Sequence, residues 1–268
     1  MSYRLIDSGE GEKLEQFGPY LLARPCAQAV WKKQFPEKWS KADAHFTREE
    51  KKGWRGRLPD EWTVEAEGLT FRLHTTDFGH LGLFPEQIPT FRWLQQTIKP
   101  PFRLLNLFAY SGGVTLAAAK AGAEVCHLDA SKGMVSWARE NAALSHLEEA
   151  PIRWIVDDVM KFLKREKRRG RVYDGIVLDP PSYGRGAQGE VFKIDEQIVP
   201  LLEQCADLLS DTPRFVHLSC HTPGYTPLVL SHLLSQVLPK GELSSGELVL
   251  EGESLSVPMG AYAKWEPL

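Results

Sequence analysis

Two stretches of the chain carry groups able to do covalent or acid–base chemistry. Asp179-Pro180-Pro181-Ser182-Tyr183 brings a carboxylate, two rigid backbone units and an aromatic ring into one turn. Proline fixes φ there and presents carbonyls without a competing N–H. Cys220, in Leu218-Ser219-Cys220-His221, could act as a thiolate nucleophile. A free thiol titrates near about 8.5 and needs local help, which His221 or a nest of backbone N–H groups would give. The alternative is a small buried hydrophobe, as expected for Cys126 in mid-strand. Cys26 and Cys205 have no chemical neighbours in sequence. With no C-x-x-C pair, and with His80, His127, His217 and His221 dispersed, neither a disulfide scaffold nor a metal site is expected.

A third set of residues is suited to holding a ligand rather than reacting with it. Arg103-Leu-Leu-Asn-Leu-Phe is a short apolar run leading into Ala109-Tyr-Ser-Gly-Gly, and Val114 to Ala121 reads as an alanine-rich helix stopped by Gly122. Three successive strands then finish on acids. Glu124-Val-Cys-His-Leu ends at Asp129, Ile152-Arg-Trp-Ile-Val at Asp157-Asp158, and Tyr173-Asp-Gly-Ile-Val-Leu at Asp179. Arg214-Phe-Val-His-Leu-Ser makes a fifth strand, Pro227 to Val237 a helix, and Gly246-Glu-Leu-Val-Leu with Ala261-Tyr-Ala-Lys-Trp a closing pair. The expected architecture is α/β, a βαβ series with a terminal antiparallel hairpin. In such sheets ligands lie outside the carboxyl ends of the strands, near the point where strand order reverses. Acids collected there carry more weight than acids elsewhere, although helix caps also use Asp.

A dinucleotide site would want G-x-G-x-x-G after the first strand. Ser111-Gly112-Gly113 lacks the third glycine, and no Gly-Lys-Ser/Thr follows, which excludes both that pyrophosphate cradle and a P-loop. A smaller adenosine-bearing ligand still needs close backbone approach at the turn, a carboxylate for the ribose hydroxyls after the second strand, and an acid near the adenine after the third. Gly112, Asp129 and Asp157-Asp158 are those positions, and S-adenosylmethionine is such a ligand. A nucleotide-free flavodoxin-like fold is the other reading of the same pattern.

Asn106-Leu-Phe-Ala-Tyr-Ser-Gly-Gly, Asp129-Ala-Ser, Asp157-Asp158-Val and Asp179-Pro-Pro-Ser-Tyr together resemble class I S-adenosylmethionine-dependent methyltransferases, over roughly Gly79 to Trp265. The nearest likeness is to the bacterial ribosomal-RNA methyltransferases that make 5-methylcytosine in the large subunit. The resemblance implies a Rossmann-like methyltransferase sheet and an enzyme acting on RNA. It implies that Asn106, Phe108, Ala109, Tyr110, Ser111 and Gly112 hold the methionine end of the cofactor. Asp129, followed by Ala130 and Ser131, would take the ribose hydroxyls, with Asp157 and Asp158 by the adenine. Gly79-His-Leu-Gly-Leu-Phe-Pro-Glu-Gln stands where the family has a segment closing over the cofactor, which adds Phe84 and Gln87, although Pro85 and Glu86 depart from the pattern. Asp179 would face both ligands, with Pro180, Pro181 and Tyr183 against the base. Tyr183 falls one residue later than in methyltransferases of exocyclic base amines, whereas the acid suits the N4 donor of a cytosine. Carbon 5 of a pyrimidine is a poor nucleophile until a thiolate adds at C6, the role Cys220 would fill.

Residues 1–72 read as a small β-rich appendage, from runs such as Tyr20-Leu-Leu-Ala, Trp62-Thr-Val-Glu-Ala and Leu69-Thr-Phe-Arg-Leu, and residues 73–268 as the methyltransferase domain. The appendage does not show the pattern of the RNA-binding PUA domain with which many relatives begin. Net charge is −3, so RNA must be met by a local patch. From Leu21 to Arg57 there are ten Lys or Arg against four Asp or Glu, interleaved with Trp31, Phe35, Trp39, Phe46 and Trp54, a mix that grips single-stranded RNA or simply builds a small core. The run from Lys161 to Arg171 is a second basic stretch, of a kind more often just solvated. No apolar run approaches a membrane span and no secretory signal is visible, so a cytoplasmic protein is expected. Competing readings are a methyltransferase of base amines, proteins or small molecules, and a non-catalytic binding module of the same fold.

Overall fold

Short strands at the start of the chain pair with their neighbours through tight turns. Strands β1 (Tyr3–Gly9) and β2 (Glu12–Phe17) are joined by Glu10 and Gly11, at φ 55° and 80°, the doubly left-handed turn whose twist suits a two-residue hairpin. β3 (Tyr20–Pro25), β4 (Ala44–Thr47) and β5 (Gly53–Gly56) complete a five-stranded sheet in sequence order, with the short helix α1 (Pro36–Trp39) between β3 and β4. β6 (Trp62–Ala66) and β7 (Leu69–Leu73) form a separate hairpin, turned by Glu67 and Gly68 at φ 51° and 68°. The computed structural model describes residues 3–48, 53–186 and 189–268. It divides into two compact units, Met1–Ile88 with Val249–Met259, and Pro89–Leu248 with Gly260–Leu268.

The first unit is held by a buried ionic cluster and by its aromatic residues. Burial alone would raise the Glu15 carboxyl, yet Arg24 (2.7 Å) and Lys13 (3.1 Å) beside it hold it down to about 2. Trp39 and Phe46 are buried. The indole N–H groups of Trp39, Trp31 and Trp54 donate to Asp7 Oδ2, the Ser8 carbonyl and the Thr76 carbonyl. Lys33 lies 3.8 Å over the Trp39 ring and 2.7 Å from Glu12, and Lys38 lies 4.0 Å over Phe35 and 3.1 Å from Glu253. Arg24, Lys33 and Lys38 of the basic stretch are therefore engaged by carboxylates of this unit. Lys51 and Lys52 lie outside the described residues.

The second unit opens with α2 (Ile88–Thr97), which starts at the unit boundary, and then alternates strand and helix: β8 (Arg103–Leu107), α3 (Gly113–Lys120), β9 (Glu124–Asp129), α4 (Lys132–Leu144), β10 (Ile152–Val156), α5 (Val159–Arg168) and β11 (Gly175–Leu178). After a small hairpin, β12 (Tyr183–Arg185) and β13 (Val191–Lys193), come α6 (Ile194–Ala206), β14 (Phe215–Cys220), α7 (Pro227–Val237) and the long pair β15 (Gly241–Leu250) and β16 (Val257–Pro267). The sheet order is β10-β9-β8-β11-β14-β16-β15. β8, β9, β10, β11 and β14 run parallel, and β16 returns antiparallel to β14 with Cys220 opposite Ala261. Strand order reverses between β8 and β11, the crevice where such sheets take ligands. The unit boundary at Ile88 lies beyond the 72/73 division drawn from composition, and the hairpin tip Val249–Met259 counts with the first unit. Neither feature has a local sequence signal, because both depend on which residues meet in three dimensions.

Candidate active site

The turn after β8 is wound tightly: Phe108, Tyr110 and Gly112 have φ of 55°, 50° and 92°. Two non-glycine residues in the left-handed region within three positions store strain of order 1 kcal/mol or more each, a cost usually met at ligand sites. The turn is tied to the next strand by Ala109 N–H donating to the Leu128 carbonyl (3.0 Å) and Tyr110 N–H donating to Asp129 Oδ2 (3.0 Å). Asp129 Oδ1 accepts from Ser131 N–H (2.8 Å), and Ser131 caps α4 by accepting from Met134 N–H. Each carboxylate oxygen has one lone pair left for a hydroxyl. Burial pushes the Asp129 carboxyl up, against the pull of those two N–H groups. Ser111 is buried, and its carbonyl accepts from Asn141 Nδ2 (2.9 Å). A Cβ on Gly112 would sit 2.9 Å from Ala138 Cβ on α4, so the glycine serves the close packing of the turn against that helix.

Asn106 sits in register with His127 on β9. Its Nδ2 donates to Thr115 Oγ1 (2.9 Å), and that hydroxyl lies 2.9 Å from His127 Nδ1. Burial, with Arg139 adding to it, lowers His127 to about 3, so the chain Asn106–Thr115–His127 is neutral and fixes the amide at the strand end. Asp157 N–H donates to the Asp129 carbonyl (3.2 Å), joining the ends of β9 and β10. The Asp157 side chain pairs with Arg165, and Asp158 caps α5 by accepting from Lys161 N–H (2.9 Å). Both acids therefore have roles inside the fold at the place expected for an adenine neighbour. Phe84 and Gln87 lie in the first unit, flanking and ending the 3-10 turn Pro85–Gln87, with Gln87 buried.

At the other side of the switch point, Leu178 on β11 is in register with Leu218 on β14, so the 179–183 turn and Cys220 end adjacent strands. Asp179 Oδ1 lies 3.4 Å from His221 Nδ1, with the two side chains 28% and 29% exposed. Ser182 Oγ and Thr222 Oγ1 are 2.7 Å apart. Pro180 is buried, Pro181 is exposed and Tyr183 is half-exposed with Arg185 Nε donating to its hydroxyl (2.8 Å). Cys220 is 1% exposed, and its Sγ accepts the Thr222 N–H (3.4 Å). Burial raises the thiol, as do the carboxylates of Asp179 and Asp195, while Thr222 opposes them. Tyr225 donates to Asp195 (2.7 Å), which together with burial carries its hydroxyl to about 12.

The comparisons with known proteins bear on this site directly. A family model described as S-adenosylmethionine-dependent methyltransferase matches residues 44–226, which takes in the turn, all three strand-end acids and Cys220. The chain belongs to the S-adenosylmethionine-dependent methyltransferases. The crystal structure of a methyltransferase of that dependence from Agrobacterium tumefaciens is 40% identical, with a TM-score of 0.95 over 100% of this chain and 91% of that one. A second structure, described as a methyltransferase complexed with SAH, is 18% identical with a TM-score of 0.79 over 98% of this chain and 75% of that one, a likeness of fold. Among curated proteins, the "Ribosomal RNA large subunit methyltransferase K/L" of Hahella chejuensis is 36% identical over 152 residues, 56% of this chain and 20% of that protein. The chain spans about a fifth of the length of the curated relatives it matches.

This methyltransferase thus joins its strand ends into two linked clusters. One contains the 108–112 turn, Asp129, Ser131 and Asp157; the other Asp179, Ser182, Cys220, His221 and Thr222. Thr115, His127 and Asn141 were not singled out as functional from the sequence, since each reads there as an ordinary strand or helix position. The sequence offers His221 as local help for the Cys220 thiol and gives no sign of a partner for it. Its pairing with Asp179, 42 positions away, is a product of parallel strand register.

Proposed function

We propose that the chain methylates carbon 5 of a cytosine in RNA, with Cys220 as nucleophile and Asp179 orienting the base. The observation that carries it is Cys220 at the carboxyl end of β14, its Sγ accepting the Thr222 N–H, one strand away from the Asp179 turn. That N–H favours a thiolate; the buried setting opposes it. S-adenosylmethionine, when bound, supplies an electrophilic methyl group. Asp129 would hold its ribose hydroxyls, the 108–112 turn its methionine end, and the 157–158 corner its adenine. Pro180, Pro181 and Tyr183 would flank the base. An RNA substrate is supported by the ribosomal-RNA activity named for the curated relatives, and ribosomal RNA is the substrate to test first.

A second reading is favoured by one observation: Cys220 is 1% exposed, as a merely packed thiol would be. The methyl group would then go to a base nitrogen, which needs no covalent help. Large-subunit ribosomal RNA transcribed with 5-fluorocytidine separates the two. Fluorine replaces the proton that must leave C5, so the wild type should stay attached as a cofactor-dependent, denaturation-resistant adduct that Cys220→Ser abolishes. Methylation by Cys220→Ser at the wild-type rate would remove the cytosine C5 reading.

A further inference from the structure

We propose that Phe192 is a positioning residue: its ring, set against Phe108, holds the turn that takes the base in register with the turn that takes the cofactor. This rests on the reading that places the cofactor at 108–112 and an RNA base at 179–183. The two turns leave neighbouring strands side by side, since Leu107 of β8 pairs with Leu178 of β11. Methyl transfer requires the cofactor sulfur, the methyl group and the acceptor atom in line, and a misplacement of about 1 Å costs on the order of 100-fold in rate. Past the last paired residues, side-chain packing has to keep that spacing.

The β12–β13 hairpin supplies this packing. It is a sheet of two three-residue strands, a size that needs an anchor in the body of the protein. Pairing of Tyr183 with Lys193 and of Arg185 with Val191 puts those four side chains on the outer, exposed face, and leaves Gly184 and Phe192 on the inner one. Phe192 is buried in the core cluster that contains Leu107 and Leu178, and Phe108 packs against the same cluster. The two rings are 5.1 Å apart and inclined at 58°, within the range in which aromatic pairs attract. Phe108 is the residue at which the cofactor turn enters the left-handed region, at φ 55°, so a contact on its ring bears on the most tightly wound part of that turn. From Phe192 the connection to the base turn is short. Ile194 N–H donates to the Ser182 carbonyl (3.2 Å). A Cβ on Gly184 would lie 3.4 Å from Pro181 Cγ and 3.7 Å from Phe192 Cβ. Pro181, Ser182 and Tyr183 therefore follow the seating of the Phe192 ring.

The test is single-turnover methyl transfer from labelled S-adenosylmethionine to transcribed large-subunit ribosomal RNA, with both ligands saturating. Total label in RNA is the readout, so the result does not depend on which atom is methylated. Phe192→Leu keeps an apolar side chain and removes the ring. It should slow transfer about tenfold or more, while cofactor affinity by calorimetry and RNA affinity by filter binding stay within about threefold of wild type. Phe108→Leu removes the other ring. The double variant should be no more than about twofold slower than the slower single one, because the contact is already lost. Phe192→Met serves as a second variant. A wild-type rate in Phe192→Leu overturns the proposal. So do single effects that multiply in the double variant, which would make the two rings independent. Loss of both affinities in the leucine and methionine variants alike also overturns it, since Phe192 would then support the whole fold. If the wild type itself binds cofactor and places no label in the transcript, the RNA reading falls and takes this role with it. That arm uses no variant, so the two failures are told apart.

Discussion

Both oxygens of Asp129 already accept backbone N–H groups, from Tyr110 and Ser131, so its carboxylate fastens the turn and keeps one lone pair on each oxygen for the proposed ribose contact. Asp129→Asn keeps the size and removes the charge and one acceptor. It should weaken S-adenosylmethionine binding by about tenfold, equivalent to ~1.4 kcal/mol, by titration calorimetry. Affinity within twofold of wild type would put the ribose elsewhere. Gly112 behaves differently. With φ at 92° and Ala138 Cβ 2.9 Å from any added Cβ, Gly112→Ala should cost about 1–3 kcal/mol of stability, read as a melting temperature lower by several degrees. The Ser111-Gly112-Gly113 pattern announces a close backbone approach, but that the approach includes α4 depends on a residue 26 positions on. Asn106 is similar: its place at a strand end is legible, while its partners Thr115 and His127 are found only when α3 and β9 are packed beside it.

Helix α5 carries its cations in one run, and their pairing separates them. Lys161, Arg165, Lys167 and Arg169 have Glu190, Asp157, Asp207 and Glu166 as partners. Lys164 and Arg168 have no ion-pair partner among the described residues. If RNA runs along this helix, Lys164→Glu with Arg168→Glu should weaken binding of the ribosomal transcript and lower the salt slope by about 1.4 for two lost single-strand contacts. Filter binding across salt concentrations measures both, and an unchanged slope would assign the run to solvation. The strands β8, β9, β10, β11 and β14 were legible because apolar runs end at a turn or an acid. α6 was not. It has Pro200 inside and no capping side chain at Lys193, so the local rules that reveal helices argue against it, and burial of Ile194, Ile198, Leu201 and Leu202 decides instead. The β12–β13 hairpin is too short, at three residues a strand, to show a period.

Two histidines are buried in the second unit: His127, with Nδ1 2.9 Å from Thr115 Oγ1, and His217, stacked 5.7 Å from the Tyr262 ring. Burial lowers both to about 3, helped by Arg139 and Lys264 respectively. In the unfolded chain they titrate near about 6.5, so between about 3 and 6.5 the unfolded state binds more protons and stability falls as pH falls. Each site should remove up to about 1.4 kcal/mol per pH unit below 6.5. Urea unfolding at pH 7.5 and 5.0 checks this; equal midpoints would mean that neither histidine is held neutral. The membership of Val249–Met259 in the first unit escaped the sequence for a reason of the same scale, since the tip of a continuous hairpin belongs with residues more than 160 positions earlier.

The atom that receives the methyl group distinguishes carbon methylation through Cys220 from methylation of a nitrogen. Incubating the enzyme with labelled S-adenosylmethionine and transcribed large-subunit ribosomal RNA, digesting to nucleosides and separating them by mass, reads that atom directly. With cytosine C5 as the acceptor, label is expected in 5-methylcytidine and absent when Cys220 is replaced by serine. Label in an N-methylated nucleoside, or none in RNA, would contradict it.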